Sequence, residues 1–235
     1  MTVPNPIALP ISQPIHAKDD ILAGFDENAV LAKKLQDDLP KEVRSLNPDE
    51  EENLLQTLSG YFGFEVTGAI EGIKLNRNFG LIGGEQHLYR YPGDNVYAHA
   101  ENTMDWAKYG SAGIASGLGA WGYFSPSKQE FTDIDKMREK YYLAIQTFLA
   151  PGFAENVAKY RDFFKYRKIL VINPKTGQAV VAVVGDAGPA EWTGKHLGGS
   201  PEVMDALGLA MGPRKGPVLY FFIDDKENKI SLGPK

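Results

Sequence analysis

Residues 179–209, "AVVAVVGDAGPAEWTGKHLGGSPEVMDALGL", decide the fold prediction for this chain. An apolar run rich in valine ends at a single acid, Asp186, and a Gly-Pro turn follows it. Ser200 and Pro201 then occupy the N-cap and first helical positions of a short helix that Gly208 would end. The pattern predicts a buried strand that delivers one carboxyl group to a turn. That carboxyl is either a catalytic acid or a residue that caps the turn through its side chain.

The segments on either side of this stretch extend the prediction. Residues 167–186 hold two β-like runs around an Asn-Pro-Lys-Thr-Gly turn, which is typical of a hairpin. Residues 216–233 are expected to form a second hairpin at the end of the chain. Residues 131–152 are expected to form one amphipathic helix, and residues 152–164 a second. The apolar stripe of the first helix would consist of Ile134, Met137, Tyr141, Ile145 and Phe148.

The N-terminal half is predicted to be mixed. Four prolines in residues 1–20 indicate an extended or disordered arm, and residues 19–39 favour one or two short helices. Asn47 followed by Pro48 and three acids predicts a capped helix that ends by Gly60. Residues 61–100 favour three or four short strands. Residues 107–124 predict a Gly-rich loop that runs into a strand or a tight bend.

Composition excludes several functional classes. The chain has 235 residues, a net charge of −5 and no cysteine, so it has no disulfides, thiolate nucleophiles or Cys-type metal sites. The sequence has no stripe of Lys and Arg that would indicate a nucleic-acid partner. It also has no run of 18 apolar residues that would indicate a transmembrane segment. The four histidines, His16, His87, His99 and His196, show no metal-ligand spacing, so neither a metal nor a cofactor is predicted. The N-terminus lacks signal-peptide features, which leaves a mature exported form or a cytoplasmic protein open.

The order of hairpin, acid, Gly-Pro turn and short helix resembles the double-psi β-barrel group of expansins, barwins and rare-lipoprotein-A-type lytic transglycosylases. The matching segments are "KTGQAVVAVVGDAGP", Gly194, "HLGGS" and "PEVMDALGL". "ASGLGAWGYF" is similar to the opening strand of expansins, with Trp121 in place of a cysteine. The resemblance covers residues 106–224 and implies a six-stranded double-psi barrel that is mainly β with inserted helices. The implied domains are an arm with short helices (1–50), a small α/β extension (51–100), and the barrel (101–235) with a helical insertion at 131–165.

The resemblance also implies a polysaccharide groove. Asp186 matches the acid of the group's Asp-Arg-Gly-Pro motif, whereas the second acid of the group falls on Gly198. A fainter similarity to fungal chitosanases places their glutamate on Lys195. Glycoside hydrolysis ordinarily needs two carboxyl groups, but lytic transglycosylation can proceed with one. The sequence therefore favours a lytic-transglycosylase-like enzyme acting on peptidoglycan, with an extracellular or periplasmic location.

Other residues are candidates for the same site. His196 could orient Asp186 as a second catalytic residue, and Trp192, Trp121 and Tyr123 could stack on sugar rings. Glu191 follows the acid closely, and Glu85 could supply the missing second carboxylate across a groove. Each has a purely structural alternative: a satisfied histidine, buried aromatic side chains, or solvated charges.

Two other functions stay open alongside the transglycosylase. One is a non-catalytic, expansin-like module that binds peptidoglycan or a chitin- or chitosan-like polymer. The other is a chitosanase-like glycoside hydrolase.

Overall fold

The structure is a computed structural model that describes residues 26–235. The predicted arm at residues 1–20 therefore lies outside the described residues. Between residues 26 and 235, no helix is both long and apolar enough to cross a membrane. Six α-helices are used below: α1 (Glu27–Asp38), α2 (Pro48–Phe62), α3 (Thr103–Tyr109), α4 (Asp133–Lys140), α5 (Val157–Phe164) and α6 (Pro201–Ala206).

Six strands close into a mixed barrel in the order β4-β8-β5-β7-β6-β9, with β9 returning to β4. The pairs β4–β8 and β5–β7 are parallel, and the other four are antiparallel. Short strands add to this barrel: β1 pairs with β9, β10 pairs with β7, and β2 pairs with β3 in a separate hairpin. The bounds are β1 (Val66–Thr67), β2 (Ala69–Ile70), β3 (Ile73–Lys74), β4 (Phe79–Gly84), β5 (Tyr142–Ile145), β6 (Lys168–Ile172), β7 (Ala179–Ala187), β8 (Leu197–Gly199), β9 (Lys215–Ile223) and β10 (Gly233–Pro234).

Both faces of the barrel wall are buried over much of its area. Side chains alternate along each strand, so one set fills the interior and the other points outward. The interior set includes residues from all six barrel strands: Ile82, Leu143, Ile145, Ile169, Val171, Val180, Ala182, Val184, Leu197, Val218, Tyr220 and Phe222. Outward residues of β6, β7 and β9 form a second core with buried leucines of α1 and α2. This double burial explains why these strands appear in sequence as unbroken apolar runs.

The β6–β7 hairpin is confirmed, with Lys168 opposite Val183 and Ile172 opposite Ala179. Asn173 holds its turn because its carbonyl accepts from the Gly177 amide at 2.8 Å and its side chain accepts from the Lys175 amide. Gly177 has φ of 76°, and a Cβ there would lie 1.9 Å from the carbonyl oxygen of Asn28. The turn is therefore packed against α1, which requires glycine at this point.

The predicted helix starts at residues 47–48 and 200–201 are confirmed. Asn47 and Glu50 form a capping box at the start of α2, and Gly63 ends the helix in the left-handed conformation. Ser200 accepts from the Val203 amide at the start of α6. In both cases the local chemistry of the cap suffices to fix the first turn.

The single helix predicted for residues 131–152 is wrong beyond Lys140. The chain leaves α4 and immediately forms β5, which is a strand of the barrel wall between β7 and β8. Ile134 and Phe148 of the predicted stripe are exposed, whereas Ile145 is in the barrel interior. A short apolar run is compatible with either period, and burial on both faces selects the strand here. The predicted insertion at 131–165 thus contains a barrel strand between its two helices.

The hairpin predicted for residues 216–233 is wrong, because β9 pairs with β1, β4 and β6 while β10 crosses to β7. Asp225 folds the connection by accepting from the amides of Lys229 and Ile230. Of the two alternatives for the end of residues 107–124, the tight bend is found: one isolated bridge, Gly119–Gly122, encloses a turn, and the opening strand that the expansin resemblance implied is not formed. The division into three domains stays a prediction, although β4 brings residues 79–84 into the barrel.

The second core, between the barrel and helices α1 and α2, predicts how much α1 contributes to stability. Leu35 of α1 is fully buried, whereas Val30 on the same helix is half exposed. Replacing Leu35 by Ala should lower the free energy of unfolding by about 2–5 kcal/mol, because it removes buried methyl groups and leaves a cavity. Val30→Ala is the matched control and should change it by less than about 0.5 kcal/mol. Urea unfolding measures both, and equal losses would show that α1 does not pack on the barrel as described.

Candidate functional site

Asp186 lies near the end of β7 on the outer face of the barrel. The register places it beside Ala144 of β5, and Ala144 lies beside Gly198 of β8. Their neighbours Leu143, Ile145 and Leu197 fill the interior, so this row points outward. At about 4.8 Å between strands, the Cα atoms of Asp186 and Gly198 are about 10 Å apart. The carboxyl group of Asp186 thus lies beside a surface formed by the small residues Ala144 and Gly198, here called the floor of the site.

Glu85 occupies the space above Gly198. A Cβ on Gly198 would lie 2.2 Å from the Glu85 carboxylate oxygen Oε1 and 2.4 Å from its Cγ. Glu85 follows β4, which runs parallel to β8, so its side chain reaches across to the neighbouring strand. Lys195 holds the carboxylate through an ion pair of 2.9 Å. The carboxylate of Glu85 therefore fills the space that a side chain at position 198 would take.

Burial raises the pKa of Asp186, and the charge of Glu85 raises it further. Two backbone amides oppose this shift, because Ala120 and Ala187 donate to Oδ1 at 2.7 and 2.8 Å. Both hydrogen bonds go to the same carboxylate oxygen, which fixes the orientation of the group. Asp186 therefore combines a raised pKa with a defined geometry, which is what a proton donor requires.

A clamped loop covers one side of Asp186. While the Ala120 amide donates to Asp186, its carbonyl accepts from the Arg161 guanidinium at 2.7 Å. Trp121 donates its indole N–H to the Arg161 carbonyl at 3.0 Å and packs partly buried against the barrel core. Gly119 has room for little more than hydrogen, since a Cβ would lie 3.2 Å from the carbonyl oxygen of Gly185. Trp121 is thus a wall of the site, held by α5.

The other predicted aromatic and acidic residues lie on exposed loops. Trp192 is 88% exposed within a short helical turn that also contains the exposed Glu191. Tyr123 is 38% exposed and packs edge-to-face on Tyr89. An indole that is almost entirely in solvent has no packing role among residues 26–235. The roles of these residues toward a substrate stay predictions.

His196 contacts the backbone of β4. Its Nδ1 accepts from the Leu81 amide at 2.8 Å, and its ring lies against Gly80. Burial and the nearby charges of Arg77 and Lys215 lower its pKa, which favours the neutral ring. The structure gives His196 this backbone contact, and a role beside Asp186 stays a prediction.

A second polar cluster lies close to this face, and the spacing of histidines in the sequence did not reveal it. His87, His99 and Glu139 are buried, and each offers one ligand atom within 4.8 Å of the others. Glu139 contacts the Nδ1 atom of His87 through Oε1 and that of His99 through Oε2, each at 3.2 Å. These three are the described residues that could hold a metal ion.

Asp94 and Arg90 stabilise this cluster on the Nε2 side of His99, opposite Glu139. The Nε2 atom of His99 lies 2.9 Å from Asp94, and Arg90 binds both oxygens of Asp94 at 2.7 and 2.9 Å. The carboxylates of Asp94 and Glu139 raise the pKa of His99 to about 9, against the opposing effect of burial. The interactions with His87 and His99 lower the pKa of Glu139 to about 2 despite its burial.

Tyr142 lies between the Asp186 and Glu85 carboxyl groups and the cluster of His87, His99 and Glu139. Its ring is buried and its hydroxyl donates to the Gln86 carbonyl. Its pKa is raised well above the usual value, first by burial and then by the carboxylates Glu139, Glu85, Asp186 and Glu202. All four acids therefore lie near one tyrosine. Glu202 is the fourth: burial and the Glu139 charge raise its pKa to about 7.

No family model matches the chain, and no curated protein is similar to it in sequence.

The setting of Asp186 predicts opposite effects for two substitutions. Because its pKa is raised on folding, ionisation of Asp186 disfavours the folded state, so its contribution to stability falls as pH rises through the folded pKa. Asp186→Asn keeps an oxygen for both backbone amides and should be as stable as the wild type, or more so, at pH 7. Asp186→Ala loses both hydrogen bonds and should cost about 1–3 kcal/mol. Urea unfolding at pH 7 distinguishes them, and equal losses would argue that the charge itself holds the turn.

Proposed function

We propose that this protein cleaves glycosidic bonds in a polysaccharide by a lytic-transglycosylase-like reaction. The observation that carries the proposal is the pair of carboxyl groups, Asp186 and Glu85, on either side of the floor formed by Gly198 and Ala144. Asp186 has a raised pKa, and Glu85 stands in an ion pair with Lys195. Two carboxyl groups in different environments are the arrangement that glycosidases use.

Asp186 would act as acid and then as base. It donates its proton to the glycosidic oxygen as the bond from that oxygen to the anomeric carbon breaks, and the leaving sugar departs as an alcohol. A hydroxyl of the remaining sugar attacks the anomeric carbon and returns its proton to Asp186. The product is an anhydro sugar, no water is consumed, and the carboxyl group is restored.

Glu85 would stabilise the positive charge that develops on the sugar ring in the transition state. An anion fixed by Lys195 needs no reorganisation as that charge appears. The same position favours a second candidate function, hydrolysis, in which Glu85 activates a water as base in place of the substrate hydroxyl. The two functions differ in their products, so one assay separates them.

The proposal extends to the fold and the polymer. The closed barrel with parallel β4–β8 and β5–β7 pairs supports the double-psi connection of the group it resembles. Peptidoglycan is the proposed polymer, with a chitin- or chitosan-like polymer as the alternative, and the protein would act in the extracellular or periplasmic space where such polymers lie. The exposed Trp192 supports polymer binding, because a flat indole matches the apolar face of a sugar ring.

Product analysis tests the chemistry. Incubation with purified peptidoglycan, chitosan or chitin, followed by mass spectrometry, should release anhydro-muropeptides from peptidoglycan. Asp186→Asn should reduce the rate by at least about 100-fold, because it removes the proton donor. Glu85→Gln should also reduce the rate, whereas Glu52→Gln, a matched change of an exposed acid on α2, should leave it unchanged.

Each alternative has its own outcome in this assay. Reducing-end products would indicate the hydrolase. Binding to a polymer without any soluble product would indicate the non-catalytic module. An Asp186→Asn variant with wild-type activity would refute the proposed mechanism.

Binding by Trp192 is tested separately. Trp192→Ala should weaken co-sedimentation with the insoluble polymer by about 2- to 13-fold, as expected for about 0.5–1.5 kcal/mol from a stacked aromatic side chain. The thermal midpoint should not change, because the side chain is in solvent. Met211→Ala, another exposed apolar residue, is the control. Unchanged binding in Trp192→Ala would remove this residue from the site.

A further inference from the structure

The cluster of His87, His99 and Glu139 has no part in the proposed glycan chemistry. It is also unusual for its position, since all three side chains are almost completely removed from solvent. Burial of so many ionisable groups is costly unless each is paired or ligates a cation. The three residues come from separate segments: His87 follows β4, His99 ends a short helical turn, and Glu139 is in α4.

We propose that His87, His99 and Glu139 bind a divalent transition-metal ion of the Zn²⁺ class. Two imidazoles and one carboxylate form a donor set that such ions prefer. Metal–ligand bonds of about 2.0–2.2 Å in a tetrahedral site place neighbouring ligand atoms about 3.4 Å apart. The two Glu139-to-histidine contacts, one through each carboxylate oxygen, are 3.2 Å, and one ligand atom from each of the three residues lies within 4.8 Å of the others, so small side-chain rotations bring the set to that spacing.

The residues behind the cluster match the outer shell of a metal site. A ligating histidine ordinarily donates its second ring N–H to a carboxylate, which fixes the ring and its tautomer. His99 directs Nδ1 toward Glu139 and Nε2 toward Asp94 at 2.9 Å. Arg90 holds Asp94 through both oxygens, so the orientation of His99 is set by two successive contacts.

Glu202 provides an independent observation. It is 7% exposed, and its Oε2 atom is buried with no hydrogen-bond partner among the described residues. Glu202 lines a small cavity together with His87 and His99, and the space of about 10 Å³ that is open to the centre of a water molecule is close to the minimum that holds one water. A metal-bound water would supply the partner that Glu202 lacks. The site would then have three protein ligands and one exchangeable position.

The metal would also connect the two polar sets of the barrel. His87 is two residues after Glu85, and the Gln86 carbonyl between them accepts from Tyr142. An ion that joins the segment after β4 to α4 would fix the backbone that carries Glu85. This inference does not depend on the proposed glycan cleavage, because its readouts are binding and stability.

Metal titration of the full chain tests the proposal. The protein is treated with a chelator, dialysed, and titrated with Zn²⁺ by calorimetry and with Co²⁺ by visible absorption. We expect one equivalent of each to bind, a Co²⁺ spectrum of low-symmetry coordination, and a thermal midpoint that rises with Zn²⁺ concentration. Absence of saturable one-to-one binding would overturn the proposal and leave the cluster as a buried ion-pair network.

Variants locate the ion. His99→Ala and Glu139→Gln should abolish one-to-one binding, while His196→Ala, a histidine outside the cluster, should bind as the wild type does. Asp94→Asn retains all three ligands and should weaken binding by about 10- to 100-fold. Circular dichroism confirms that each variant is folded, and His87→Gln replaces any that is not. Wild-type affinity in Glu139→Gln, or equal loss in His196→Ala, would overturn the assignment.

Discussion

The four residues of β5 are the constraint on which the rest of the structure depends. This strand pairs in parallel with β7 on one side and antiparallel with β8 on the other, so it joins the two halves of the barrel. Leu143 and Ile145 point inward by ordinary alternation, and a register shift that skips Gly185 of β7 sets Asp186 beside the outward Ala144. Without that shift, the outward row of Asp186, Ala144 and Gly198 would not exist. The pairing of β5 with β7 therefore both closes the barrel and places Asp186.

The outer face of the barrel has two different coverings. α1 and α2 seal the side formed by β6, β7 and β9 with apolar contacts. The segments that follow β4 and precede β5 cover the other side, and there the contacts are made by charged and aromatic groups around Tyr142. Apolar packing is nondirectional and tolerant, whereas buried charges need specific partners. The buried ionisable groups are therefore concentrated on the side that is covered by the segments between β4 and β5.

Local signals in the sequence predicted local structure well. The caps at Asn47 and Ser200 and the turn after Asn173 were recognisable because each is decided by a few neighbouring residues. β5 was mistaken for helix because its apolar run is too short for its period to be decisive. The pairing of β10 with β7, and the absence of a strand at residues 115–124, depend on long-range contacts that no local pattern contains.

The candidate sites show the same division. Asp186 was identified because its strand, turn and helix are contiguous in sequence. Glu85 was only one candidate among several for the second carboxylate, since the contact that distinguishes it spans 113 positions to Gly198. The histidine cluster was missed because its members are 12 and 40 residues apart and come together only in the fold. An excess of buried acids and histidines could not have been recognised before burial was known.

The mutual exclusion of Glu85 and a side chain at position 198 has an evolutionary consequence. A side chain at position 198 and the glutamate at position 85 would occupy the same volume, so one chain cannot keep both in these conformations. Homologous chains should therefore vary at the two positions together, with glycine at 198 wherever a long side chain stands at 85. Covariation of the pair would show that the volume above β8 is filled from only one of the two strands at a time.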